Sequence, residues 1–258
     1  MGIARTVKSS RGARLPFRLA ITIALAASTP AGAVGPSWLR HVFESPAAAR
    51  NRAPPVARYT IDAGGNFVLD RTAAPRPLLK FEDSPEVWAL TVTRGPRGDL
   101  IYWNDLRQPF LRITKFGGVT VFTSDRPQGA AAAVSGPGFP LRLAPVGPIG
   151  LYQHLAVASA RSGRAAQHAV GYTAIDADPL SDGLMADAAI VASEALVNLA
   201  VRPRGRAYLR RIGRVTIIRG DKPSAVVHEG VVIVTVAPAE GVFGRPSSLR
   251  IEEALTER

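Results

Sequence analysis

Between residues 56 and 123 the chain repeats one pattern: short apolar, β-branched or aromatic runs separated by turn residues at close spacing. That alternation predicts antiparallel strands rather than helices. The runs cover residues 57–61, 67–70, 78–82, 86–93, 100–103, 110–115 and 119–123. The connections carry turn chemistry: Gly64-Gly65-Asn66, Ser84-Pro85, Gly95-Pro96, Asn104-Asp105 and Gly117-Gly118. Each supplies a residue tolerant of positive φ, a fixed proline φ or an Asx turn, which favours up-and-down connections. In the sixth run Leu111 and Ile113 alternate with Arg112 and Thr114, so one sheet face is wet.

The pattern then changes. Residues 126–150 are rich in Ala, Gly and Pro with no sustained period, which reads as a linker or covering loop. Residues 151–169 fit a helix weakened by Gly163, and residues 183–200 a firmer one, with Leu184, Ala188, Val191, Ala195 and Leu199 at helical spacing. Asp182 is placed to cap that helix and Pro203 to stop it. Strands are expected over 215–218 and from Val226 or Val231 to Val236, and a short helix from Ser248 capped by Ser247-Ser248. The expected fold is α+β: an N-terminal antiparallel β-meander or small open barrel over 56–125, the 126–150 segment, and a C-terminal helix-plus-β-hairpin unit over 151–258.

The N-terminus reads differently from the rest. Residues 1–33 hold five positive charges (Arg5, Lys8, Arg11, Arg14, Arg18) and no negative one, then the apolar run 19–27, then Pro30 and the small triplet Ala31-Gly32-Ala33. This is the layout of a signal peptide cleaved after Ala33; the apolar run is too short to span a bilayer. Residues 34–55 then form a mobile arm with an apolar patch from Trp38 to Phe43, a candidate assembly contact. The mature chain is expected in the periplasm or secreted, with no transmembrane segment after signal removal.

Composition narrows the chemistry. The 258 residues include no cysteine, which excludes disulfides, thiolate metal sites and thiol nucleophiles. The formal charge of +12 owes much to the leader, so nucleic acid is not an expected partner. His228-Glu229 has Val232 where a zincin's second histidine would stand, and no serine-hydrolase elbow, phosphate loop or dinucleotide fingerprint occurs. Asp176, Asp178, Asp182 and Asp187 approximate a calcium loop but lack its glycine and terminal glutamate, and read as a capped, solvated turn. No metal and no cofactor is expected.

Two surfaces remain. Arg202, Arg204, Arg206, Arg210, Arg211, Arg214 and Arg219 occur with no acid between Glu194 and Asp221, a run suited to lipid headgroups, lipopolysaccharide or acidic glycans. Glu82, Asp83 and Glu86 lie near Trp88, Tyr102 and Trp103, as a sugar site requires, so a glycan hydrolase using Glu82 or Glu86 with Asp99 or Asp105 is the rival to a binding or structural role in the envelope.

The stretches LLKFEDSPEVWALT (78–91), RGDLIYWND (97–105), LRITKFGGVTVFT (111–123) and GRPSS (244–248) resemble a family of secreted alphaproteobacterial proteins, domain of unknown function 4908. The resemblance covers nearly all of the mature chain. It implies export and an envelope setting, and no activity.

Overall fold

A computed structural model describes residues 53–257. The expected leader, and the expected arm apart from its last three residues, lie outside them. The first half is a nine-stranded, nearly closed antiparallel sheet: β1 (Val56–Ile61), β2 (Asn66–Asp70), β3 (Leu78–Phe81), β4 (Val87–Ala89), β5 (Thr91–Arg94), β6 (Leu100–Trp103), β7 (Pro109–Ile113), β8 (Val119–Thr123) and β9 (Arg126–Pro137). The spatial order is β4-β3-β2-β1-β9-β8-β7-β6-β5, two meanders joined where β1 pairs with β9. The two edge strands, β4 and β5, are separated in the chain only by Leu90. The run 86–93, expected as one strand, therefore breaks there: Leu90 is buried and its N–H donates to Pro77 O at 3.0 Å, and no ladder joins β4 to β5.

Alternation fills the interior. Ala57, Tyr59 and Ile61 of β1 point inward, as do Phe67 and Leu69 of β2 and Val119 and Val121 of β8. Tyr59 stacks on Phe67 at 4.8 Å between ring centroids, and Trp88 packs on Phe110 at 4.6 Å. The barrel encloses a packed core rather than a channel.

Residues 126–137 correct the linker expectation. They form β9, hydrogen-bonded to β8 and β1, and turn Ala130 and Ala132 toward the core. Gly129 has φ +85°, and a Cβ there would meet Thr120 Cγ2 at 2.5 Å, so this turn into the ladder requires glycine.

The second half is a two-layer unit. The strands β10 (Gly171–Ala174), β11 (Arg214–Arg219), β12 (Ser224–His228) and β13 (Val231–Val236) form a sheet in the order β10-β11-β13-β12. The β12–β13 pair is the expected hairpin; β10, β11 and β13 are parallel, which the sequence reading did not anticipate. Parallel neighbours need crossovers: β10 reaches β11 through α2 (Asp182–Val201) and α3 (Gly205–Leu209), and β11 reaches β13 through the edge strand β12. With α1 (Pro148–Ala166) and α4 (Ser248–Thr256), α2 covers one sheet face: α1 lies against β10, α2 against β11 and β13, and α4 against β12.

By length and apolarity α2 is able to cross a membrane, with mean hydropathy 1.7. Its place explains the composition: Ala188, Ala192, Ala195 and Leu196 are buried in the unit's core with Val215, Ile217, Val232 and Val234. A helix hydrophobic all round belongs in the middle of a fold. Ser181, not Asp182, occupies its N-cap position, and Asp182 is the first helical residue.

Candidate functional site

The two halves meet around Arg245. The β13–α4 connection ends Gly244-Arg245-Pro246-Ser247, and the Ser247 side chain caps α4 by accepting from Arg250 N–H at 3.1 Å. The exposed N–H groups of this first turn attract carboxylates. Two arrive from the barrel. Glu86, just before β4, accepts from Ser248 N–H through Oε1 at 3.0 Å and from the Ser248 hydroxyl through Oε2 at 2.5 Å. Asp105, in the β6–β7 turn, accepts from Ser247 N–H at 2.9 Å and from the Ser247 hydroxyl at 2.6 Å. Arg250 Nη2 donates to the Asp105 carbonyl at 2.7 Å.

The Arg245 side chain is 3% exposed. Its Nε pairs with Asp187 of α2, Nη1 lies 3.5 Å from Glu86 Oε1, and Nη2 donates to the Val87 carbonyl of edge strand β4 at 2.8 Å. One guanidinium thus ties the barrel seam to the helical layer. Burial disfavours its charge, but Asp187 and Glu86 outweigh that and hold its pKa above the ordinary value. Glu86 is 1% exposed, and burial pushes its pKa up to about 7 against the pull of Arg245 and Ser248. A cavity of about 380 Å³ opens beside this cluster, bounded by Arg76, Asp105, Glu240, Arg245 and Arg250. Arg76 pairs with Glu240 at 3.1 Å and lies over the Phe243 ring.

A carboxyl with a pKa near 7 has the proton affinity of a general acid. Geometry gives Glu86 other work, since both oxygens are engaged at a helix N-terminus. The remaining acids singled out from sequence do not join it. Glu82 is exposed, and hydrogen bonds from Arg58 and Asn66 hold its pKa below the usual range. Asp99 pairs with Arg112 on the barrel, which lowers its pKa likewise. Of the four, only Glu86 and Asp105 come together.

The arginine run divides. Arg202, at the end of α2, pairs with Glu252 of α4. Arg211 stacks on Tyr208 and donates to the Leu255 carbonyl at 3.3 Å, and Arg219 pairs with Asp178. Arg204, Arg206, Arg210 and Arg214 are exposed, with no ion pair among the described residues. Among these residues, too, no group of three His, Cys, Asp or Glu is placed to hold a metal ion. Asp178 instead accepts from the Leu180 and Ser181 amides ahead of α2, and Asp187 is committed to Arg245.

A second, larger groove of about 740 Å³ lies across the barrel mouth, between the β3–β4, β6–β7 and β8–β9 turns and helices α2 and α4. Its wall includes Glu252, which is 2% exposed. Arg202, at the end of α2, pairs with this carboxyl. Burial raises its pKa, opposed by Arg202 and the nearby Asn198 amide. Sequence reasoning singled out neither Glu252 nor Arg245. The signal for Arg245 was its place between Gly244 and Pro246 at a helix start.

The model of one family, domain of unknown function (DUF4908), matches residues 39–255. The chain belongs to DUF4908. Three of the four stretches that suggested this family converge on the Arg245 cluster: they supply Glu86, Asp105, and Arg245 with Ser247 and Ser248. The junction is therefore the place in the fold where these three stretches meet. No curated protein and no solved structure matches it.

Proposed function

We propose that this DUF4908 chain is an exported binding component of an alphaproteobacterial cell envelope, periplasmic or secreted, that works without a cofactor and holds an anionic envelope component on its arginine surface. The observation that supports this reading is the division of the arginine run. Arg202, Arg211 and Arg219 serve the fold, while Arg204, Arg206, Arg210 and Arg214 stay exposed and free of ion pairs among the described residues. Guanidinium groups left in water at one segment suit bidentate contacts with phosphate or carboxylate groups. The hydrolase alternative draws no support from the site geometry, because Glu86 and Asp105 are spent on α4 and Glu82 and Asp99 on surface arginines.

The test replaces Arg204, Arg206, Arg210 and Arg214 by serine and measures retention on vesicles containing anionic phospholipid over a range of salt. Wild-type retention that falls with salt and is lost in the variant is the expected result. Equal retention of both proteins removes this surface from the reading. Fractionation with N-terminal sequencing checks export: a mature chain beginning at Val34 outside the cytosol is expected, and a full-length cytosolic form overturns the envelope setting.

A further inference from the structure

We propose that the open face of the C-terminal sheet is the interface of a two-fold homodimer. The helices α1, α2 and α4 cover the face that carries Val215, Ile217, Val232 and Val234. The other face is open: Val226 is 51% exposed there, and Ile175, one residue beyond β10, is 45% exposed. Three of the four strands, β10, β11 and β13, are parallel, and parallel sheets ordinarily have both faces covered. One layer is therefore missing.

The strand register defines what this face presents. Thr173, Thr216, Ile233 and Val226 lie side by side across its middle, one from each strand. Ile218 and Thr235 flank that row toward one end, and Arg214 and Val231 toward the other. A sheet face left to water carries polar side chains, whereas the middle of this one is β-branched throughout. Arg214 is the one Lys, Arg, Asp or Glu in these rows, and it stands at their edge. An uncharged centre with charge held to the margin is the anatomy of a protein–protein contact.

Charge decides the partner. Arg214 at one end of the sheet and Asp221 in the β11–β12 turn at the other are both exposed, with no ion pair among the described residues. Asp176, just past β10, adds a second exposed acid beside Asp221's end. A two-fold axis lying between two such faces and running across the strands sets the two sheets antiparallel. Each Arg214 then meets the partner's Asp221, and the middle row packs on its own copy. The face is complementary to itself. Arg214 serves the dimer in this arrangement, and the anionic surface keeps Arg204, Arg206 and Arg210. Four strands about 4.8 Å apart and at most six residues long cover roughly 400 Å² per copy, about half of what stable interfaces bury. The dimer is therefore a weak one that forms and separates with concentration.

Sedimentation velocity of the full chain, from micromolar to near-millimolar concentration, tests this. A dimer fraction that grows with concentration and shrinks with salt is expected. Val226→Lys sets two cations opposite each other at the axis and should weaken association about tenfold or more. Arg214→Asp and Asp221→Arg should each weaken it about tenfold, because every pair is doubled by the symmetry. An equimolar mixture of these two variants should associate as wild type does, since the mixed dimer holds one native pair and one reversed pair. Misfolded chains do not restore each other in this way. The proposal is overturned if the chain stays monomeric throughout, if the dimer survives Val226→Lys and both charge reversals, or if the mixture associates no better than its components. A monomer whose Val226→Lys variant loses retention on anionic vesicles would give the face to a membrane and overturn it too.

Discussion

Two regions of the molecule bury a glutamate against an arginine, and they differ in how far the arginine itself is buried. At the barrel seam Glu86 meets Arg245 and gives its oxygens to the Ser248 amide and hydroxyl. At the groove wall Glu252 meets Arg202, whose side chain is 43% exposed. The first arrangement is closed: buried charge, opposite charge and helix N-terminus satisfy one another. The second is open, and its arginine reaches solvent. The same pair of side chains thus lies inside the junction in one place and on the wall of a groove in the other.

The largest effect should follow from breaking the closed cluster. Arg245→Ala leaves Glu86 and Asp187 buried without their cation, and removal of one partner from a buried ion pair typically costs about 3–5 kcal/mol. Chemical denaturation should show a loss of that order, and a loss below about 1 kcal/mol would remove Arg245 from its central place.

The next effect is a pH dependence. The Glu86 pKa is raised in the fold, from 4.5 to about 7. Its contribution is therefore fully present below pH 4.5 and is lost as pH rises through 7, by up to roughly 3 kcal/mol. Wild-type stability should fall between about pH 4.5 and 7, and Glu86→Gln should flatten that slope. An identical slope in both proteins would show that Glu86 does not titrate in this window.

A smaller change comes from the helix cap. Ser247→Ala removes the side chain that caps α4 and the hydroxyl that donates to Asp105, for a loss of about 1 kcal/mol. Smallest of all is Arg58→Ala, which breaks an exposed pair with Glu82 and should leave the unfolding midpoint within experimental error.

The strands were legible where composition and turns agreed. Residues 100–103 and 119–123 coincide with β6 and β8, because β-branched and aromatic residues there are bounded by Gly and Asx turns. β9 escaped because its alanines and glycines have low strand propensity; it is a strand because β8 and β1 flank it and small side chains fit beneath it. The break at Leu90 has no local marker, since it depends on the sheet curling until β4 and β5 become opposite edges.

The site shows the same division. Glu86 and Asp105 were visible as acids near aromatics, but their partners Ser247 and Ser248 stand more than 140 residues along the chain. Burial of that kind is a tertiary property. The arginine run was visible as a run, while its division into paired and unpaired members required the positions of Glu252, Tyr208 and Asp178.

The most direct measurement compares retention on anionic vesicles of two folded variants, Glu86→Gln and the Arg204, Arg206, Arg210 and Arg214 serine variant. The account predicts that the first binds like wild type and the second does not bind. Retention lost in Glu86→Gln and kept in the serine variant would contradict it, placing function at the junction instead of on the helical unit.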